Sequence, residues 1–107
     1  MFTDDSQKAT VCMVLLGQVG LGQLFTAEGP TEEIEKHWEN DGADLEGDAR
    51  LIVLTAGALW TGEGGPKVEE LRSLSPDRMV AVGSLMRCIS AGPDMIDSWL
   101  KGAPVQE

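Results

Sequence analysis

Carboxylates are the most abundant reactive side chains of this sequence, and half of them lie in one short stretch. Between Glu28 and Asp48 there are nine acidic residues and one base, Lys36, a local charge of −8 in a chain whose net charge is −10. Carboxylates at this density can bind cations, exchange protons in acid–base catalysis, or attract a basic macromolecule. The acidic residues are Glu28, Glu32, Glu33, Glu35, Glu39, Asp41, Asp44, Glu46 and Asp48.

The spacing of these acids does not match the EF-hand calcium loop. That loop has an acid five residues before its glycine and a glutamate six residues after it. Around Gly42 those positions are His37 and Asp48, and around Gly47 they are Gly42 and Val53. One histidine and two widely separated cysteines also cannot supply the usual four nitrogen and sulfur ligands of zinc. We therefore predict no metal site.

A catalytic role for the acidic stretch has little support in the sequence. His37 is the only imidazole, and catalysis through it needs a nucleophile and an orienting acid nearby in space. Because His37 lies between Lys36 and Trp38 among the glutamates, we interpret it as a partly exposed helix residue. Carboxylate pairs can perform acid–base chemistry, but acids are so plentiful here that their pairing carries no information. We predict that the chain is not an enzyme, and we assign no catalytic residue.

Three glycines, Gly17, Gly20 and Gly22, follow an apolar run and invite comparison with phosphate-binding loops. Their order is not that of the dinucleotide fingerprint, and the lysine and hydroxyl residue of the phosphate loop are missing. The net charge of −10 also opposes the binding of phosphate. We interpret these glycines as sites of close packing or a turn, and we predict no cofactor.

A basic protein partner is the interpretation that the acidic stretch favours. A run of glutamates is usually a solvated helix face, but here few lysines balance it and the charges continue through a turn to Asp48. Trp38 and Trp60 are the tryptophans that we place at the interface, because tryptophan is enriched at binding hot spots. The predicted partner-binding residues are Glu32, Glu33, Glu35, Trp38, Glu39, Asp41, Asp44, Glu46, Asp48 and Trp60.

Most of the chain is predicted to be helical, and these helices must position the acidic residues. Thr31 is predicted to cap a short helix whose Ile34 and Trp38 point inward, and a turn follows at residues 40–42. Apolar residues at spacings of four and three then predict a helix from Asp44 or Asp48 to Trp60 at the centre of the domain. A buried strand over residues 50–55 is the alternative.

The C-terminal third is also predicted to be helical. One or two helical turns are expected over residues 67–74, after a glycine-rich loop. Ser75 and Pro76 then begin a helix that ends at Gly92, and a short amphipathic helix containing Trp99 follows. Trp99 must dock on the rest of the domain, because a helix of about nine residues is not stable alone in water.

The first third is the most ambiguous segment. Residues 9–25 can be read as helix or strand, and we favour a helix from about Ser6 to Phe25 in which Gly17 and Gly20 let another helix approach closely. Cys12 and Cys88 lie in apolar runs and are predicted to be reduced and buried.

The sequence thus predicts an all-α fold, residues 1–107 forming one small domain of four to five helices with an acidic face. Its longest apolar run has ten residues, against roughly 20 for a membrane span, and acids precede the first lysine, so we expect no secretory signal and a cytoplasmic location.

For function, the leading hypothesis is an inhibitor or antidote that mimics nucleic acid and occupies the basic surface of a nucleic-acid-handling target. Anti-restriction, anti-CRISPR and nuclease-immunity proteins act in this way as classes. The partner is expected to be a basic protein, with no direct binding to nucleic acid or membrane. The alternatives are a structural or adaptor subunit that binds a partner helix in an apolar groove, or a small-molecule binder. The oligomeric state is left open.

Overall fold

The most apolar segment of the sequence forms the central helix of the fold. A computed structural model describes Phe2 and residues 4–102, without the side chain of Val68. In this part of the chain there are six α-helices, one 3₁₀ turn and a two-stranded sheet, packed into a body of 35 × 30 × 23 Å. In chain order they are α1 (Asp5–Gly17), the 3₁₀ turn (Gly22–Leu24), β1 (Phe25–Thr26), β2 (Gly29–Pro30), α2 (Glu32–Glu39), α3 (Gly47–Thr61), α4 (Val68–Leu71), α5 (Pro76–Ala91) and α6 (Pro93–Gly102).

Helix α3 confirms the central helix and excludes the alternative strand. Seven consecutive residues, Leu51 to Gly57, are buried, which requires neighbours around the whole circumference of the helix. Helix α1 packs along α3, and its Val11, Leu15 and Leu16 are fully buried. Among the described residues, no helix combines the length and hydropathy that a membrane span requires.

The predicted helix from Ser6 to Phe25 is wrong in its second half, because α1 ends at Gly17. Gly20 has a φ of +77°, and the amide of Leu21 donates to the carbonyl of Leu16 at 2.9 Å while the amide of Gly20 donates to Gly17 at 3.2 Å. This pair of hydrogen bonds is a Schellman motif, in which a left-handed glycine ends a helix. The turn, and not a helix crossing, is therefore the role of Gly20.

The 3₁₀ turn and the start of a β-hairpin follow where the predicted helix continued to Phe25, so the fold is mostly helical but not all-α. Phe25 pairs with Pro30 and Thr26 with Gly29 in antiparallel register. The hydroxyl of Thr26 donates to the carbonyl of Gly29 at 3.0 Å and accepts from the amide of Glu28 at 3.2 Å, which closes the turn. Two residues per strand are too few to produce an alternating sequence pattern.

The close approach that we predicted at Gly17 and Gly20 occurs instead at Gly57. No heavy atom of a neighbouring element lies within 4 Å of a β-carbon built on Gly17 or Gly20. A β-carbon on Gly57 would lie 2.8 Å from the indole nitrogen of Trp38. Gly57 is therefore the glycine that lets α2 approach α3.

Helices α5 and α6 form the second layer and pack mainly on each other. The indole of Trp99, 6% exposed, donates to the carbonyl of Ala81 at 3.3 Å, as expected of a docked helix. Ser75 stands at the N-cap position of α5, but its hydroxyl accepts no capping hydrogen bond and donates to Asp48 instead. Arg78 then joins α5 to the end of α1 by donating to the carbonyl of Gln18 at 2.6 Å.

The two cysteines are free thiols. Cys12 is fully buried, and this burial raises the pKa of its thiol to about 12 despite the nearby charge of Lys8. Cys88 is only partly buried, which corrects the prediction for that residue.

Candidate functional site

Helix α2 carries the densest group of exposed carboxylates in the candidate site. The hydroxyl of Thr31 accepts a hydrogen bond from the amide of Ile34 at 3.4 Å and caps the helix as predicted. Ile34 is fully buried, and Trp38 lies one turn further along the same side. The opposite side presents four exposed glutamates, which form no salt bridge with any described residue. They are Glu32, Glu33, Glu35 and Glu39, and we call them the α2 glutamates.

Trp38 anchors this helix to the core. Its indole N–H donates to the carbonyl of Val53 at 2.8 Å, and its ring lies against Gly57 in the middle of α3. The ring centroid of Phe25 is 6.4 Å away, within the range of a tilted aromatic pair. Trp38 is half-buried. The polar and apolar parts of its side chain are thus both engaged inside the molecule.

Trp60 is engaged in a similar way at the end of α3. Phe25 contacts it edge to face at 5.3 Å between ring centroids, and Gly29 of the hairpin lies against its ring. The ammonium of Lys8 lies 4.8 Å from the centroid and donates to the Trp60 carbonyl at 3.0 Å. A cation over an indole face is a favourable contact. The structure therefore gives Trp60 a packing role, and its predicted role in partner binding stays a prediction.

Two aspartates of the predicted site have partners beyond the acidic stretch, on α3 and at the N-cap of α5. Asp48 accepts from the amide of Ser75 at 3.1 Å and from its hydroxyl at 2.7 Å. Asp41 lies 3.9 Å from the guanidinium of Arg50, which also donates to Glu70 at 2.9 Å. The first turn of α3 thus holds the preceding loop and the starts of α4 and α5. Glu46, by contrast, is exposed at the N-cap position of α3 and makes no side-chain cap.

Asp44 is held by the histidine of the same stretch. Nδ1 of His37 donates to its carboxylate at 3.0 Å, joining the end of α2 to the loop before α3. Asn40 donates to the same oxygen at 3.4 Å. The loop turns through Asp41 and Gly42, whose φ angles of +61° and +70° are left-handed. The predicted turn at residues 40–42 is confirmed, and the His37–Asp44 bond fixes its far end.

The bond to His37 is the main reason that the pKa of Asp44 lies below its ordinary value of 3.8. The pKa of Glu70 is lowered as well, first by the backbone amide of Lys67 and then by Arg50. A hydrogen bond to the ionised form favours that form and lowers the pKa of the acid. Each carboxylate therefore adds stability that is present above its unfolded pKa and is lost as the pH falls through its lowered folded pKa.

Replacing His37 with alanine is expected to raise the pKa of Asp44 toward 3.8, because the largest cause of its lowering is removed. Carboxyl chemical shifts followed by nuclear magnetic resonance during an acid titration measure this midpoint directly. Glu70 is the matched control, since its partners are Lys67 and Arg50, and its midpoint should not move. An unchanged Asp44 midpoint in the His37→Ala protein would contradict the assigned bond.

Other candidate chemistry is sparse. A shallow pocket of about 300 Å³ lies between α1 and α6 and is open to solvent. Its lining is largely polar, unlike the enclosed and mainly apolar pockets that bind small molecules. The lining residues are Asp4, Ser6, Gln7, Thr10, Asp97 and Leu100. Within the described part of the chain, no three His, Cys, Asp or Glu side chains converge on a point that could hold a metal ion.

Comparison with known proteins assigns no relative, because no protein-family model, curated protein or solved structure matches this chain. The structure brings the predicted site residues of α2 together on one short helix. Asp41 and Asp48 differ from them in having partners, Arg50 of α3 and Ser75 respectively. Sequence reasoning missed the linking roles of Arg50 and Ser75, whose partners lie 20 and 27 residues away along the chain.

Proposed function

We propose that this protein binds a basic protein surface through the α2 glutamates and blocks that surface. The proposal is supported chiefly by one observation: four glutamates of a helix anchored in the core are exposed, and none has an ion-pair partner among the described residues. A group of unpaired carboxylates of this kind, made of Glu32, Glu33, Glu35 and Glu39, attracts cationic partners.

The arrangement of the carboxylates favours an encounter with a row of bases. Positions 32, 35 and 39 are spaced by three and four residues, so they follow one side of α2 at intervals of roughly 5–6 Å. The capping threonine, the buried Ile34 and the half-buried Trp38 fix the helix before a partner arrives. A preorganised surface loses less conformational entropy on binding, which favours a stable complex.

The kind of partner follows from the sign of the charge. Surfaces rich in lysine and arginine are typical of proteins that grip the phosphates of nucleic acids, and closely spaced carboxylates can compete for those contacts. We therefore propose a nucleic-acid-handling target and an inhibitor or antidote role, analogous to anti-restriction, anti-CRISPR or nuclease-immunity proteins. The analogy concerns the mode of action and implies no shared ancestry.

Neutralising the α2 glutamates tests the proposal. In a protein with Glu32→Gln, Glu33→Gln, Glu35→Gln and Glu39→Gln, association with the partner obtained by affinity capture should slow about tenfold at low salt. High salt should slow wild-type association and leave the variant little changed, because the Debye length is only roughly 8 Å at physiological ionic strength. Association rates at two salt concentrations, measured by surface plasmon resonance, check both effects.

The matched control carries the same change in charge elsewhere, through Asp5→Asn, Glu63→Gln, Glu69→Gln and Asp94→Asn at exposed positions outside the acidic stretch. This control should associate at nearly the wild-type rate if the α2 glutamates form the contact. An acidic captured partner, or equal rates for the two quadruple variants, would count against the proposal.

A second candidate function is that of an adaptor that binds a partner helix, and it is supported by exposed apolar residues of α5 and α6. Val80 is 68% exposed, Met86 41% and Met95 48%. Exposed methionines suit adaptable binding surfaces. Under this alternative, Met86→Glu with Met95→Glu should abolish partner binding, whereas the glutamine variant of α2 should not.

A further inference from the structure

Helix α5 carries a row of four side chains, of which three are exposed and one, Ser84, is half-buried. Asp77, Val80, Ser84 and Arg87 follow one another at spacings of three, four and three residues, so they lie along one side of the helix. We call this row the α5 stripe. Asp77 and Arg87 are exposed and form no salt bridge within the described part of the chain. Val80, between them, is 68% exposed.

The inner side of α5 is already occupied. Val82 and Leu85 are buried in the core, and the carbonyl of Ala81 accepts the hydrogen bond from Trp99 of α6. The stripe therefore lies on the side of α5 that remains after its intramolecular packing is complete. An exposed valine flanked by unpaired opposite charges is the composition of an interface with an apolar centre and a polar rim.

The α5 stripe is complementary to itself when the helix is reversed. In an antiparallel pair of α5 helices centred on position 82, Asp77 lies opposite Arg87 of the second helix, and Arg87 lies opposite Asp77. Val80 of each helix then lies opposite Ser84 of the other helix. A two-fold axis requires this reciprocity. If one residue of the first copy contacts a second residue of the other copy, the same contact must also occur with the copies exchanged. One register thus gives two ion pairs around two Val80–Ser84 contacts.

The distribution of charge also favours a second copy on this surface. Residues 28–48 carry a charge of −8, so a contact made through them would bring like charges together. Residues 50–107 have six bases and seven acids and are close to neutral, which removes most of that repulsion. Of the two segments, the one containing α5 is therefore the one through which identical copies can meet.

We propose that two copies of this chain associate through antiparallel α5 helices, with Asp77 of each copy paired to Arg87 of the other. The contact is small, because it involves one helix from each copy. It forms a weak and concentration-dependent dimer, of the class that buries less than about 1,200 Å². The α2 glutamates stay outside this contact, so the dimer is independent of the function proposed above.

Charge reversal tests the pairing. Sedimentation velocity across concentrations up to about 1 mM measures the dimer dissociation constant of the full chain. Asp77→Arg or Arg87→Asp alone places like charges opposite each other twice and should raise that constant at least about tenfold. The double variant with both changes restores opposite charges and should return the constant to within about threefold of wild type. Glu63→Arg and Arg72→Asp are the matched controls, and neither should alter it.

A substitution that leaves both Asp77 and Arg87 in place gives a second test of the dimer. Val80→Glu puts a carboxylate at the apolar centre and should abolish the dimer, while circular dichroism should report an unchanged helix content because Val80 is exposed. A chain that stays monomeric at every concentration overturns the proposal. So does a dimer that is insensitive to both single charge reversals. The proposal would also be overturned if the chain is a monomer and Val80→Glu abolishes its binding to a different protein. The stripe would then be the binding site for that protein.

Discussion

Replacing Gly57 with alanine is expected to lower the free energy of unfolding by about 1–3 kcal/mol, the usual effect of overpacking a core. The substitution would otherwise favour the folded state, because alanine in a helix is better than glycine by roughly 1 kcal/mol. Here the new methyl group would lie 2.8 Å from the Trp38 indole nitrogen and 2.9 Å from a neighbouring ring carbon. The indole cannot retreat freely, since its N–H is bonded to the carbonyl of Val53. Urea unfolding followed by circular dichroism measures the change.

Gly83 is the matched control for this prediction. It lies within α5, as Gly57 lies within α3, but a β-carbon built on it meets no atom within 4 Å. Gly83→Ala should therefore raise the free energy of unfolding by about 0.5–1 kcal/mol. The two substitutions are chemically identical and should have opposite signs. A stabilising Gly57→Ala would mean that Trp38 moves aside at little cost, and it would contradict the close packing of α2 on α3.

The helices were predictable where local chemistry and periodicity agree. The capping hydroxyl of Thr31, the apolar pattern of α3 and the proline at the start of α5 are all visible within a few residues of sequence. Each of these helices was predicted with the correct type and with ends within a few residues. In each case the determining interactions are local, so a short window of sequence contains them.

The helix predicted over the N-terminal third is confirmed up to Gly17, but its end was mispredicted because a glycine in a helical pattern can either end the helix or remain within it. Gly20 and Gly57 look alike in the sequence, but Gly20 ends α1 with a left-handed turn, whereas Gly57 remains helical and receives an aromatic ring. Only the tertiary contact separates the two cases. The hairpin was missed for a related reason, since strands of two residues leave no periodic signal.

The sequence predicted which residues the candidate site contains but not which partners those residues have in the structure. Local sequence was enough to place the α2 glutamates on the side opposite Ile34, and these residues are exposed. It could not distinguish Glu39 from Asp48, because the partner of Asp48 is Ser75, 27 residues away. The acidic stretch thus contains carboxylates without an ion-pair partner among the described residues, on α2, and carboxylates whose bonds hold the loops around α3.

Trp38→Ala is expected to destabilise the protein more than Gly57→Ala does. The expected loss is about 3 kcal/mol in the free energy of unfolding. That value is at the lower end of the range for large aromatic residues, because the side chain is half-buried. The substitution removes the ring that covers Gly57 and the indole bond to α3. A tryptophan that served only an external partner would instead leave stability nearly unchanged and weaken binding alone.

A double-mutant cycle connects this loss to its structural cause. In the Trp38→Ala background the methyl group of Gly57→Ala meets no ring, so only its helix preference of roughly 1 kcal/mol remains and it should now stabilise the protein. The effect of Gly57→Ala thus changes sign between the two backgrounds, giving a coupling energy of at least about 2 kcal/mol. Gly83→Ala has no contact with Trp38, and its effect should be equal in both. Equal effects of Gly57→Ala in the two backgrounds would show that the indole is not what the glycine accommodates.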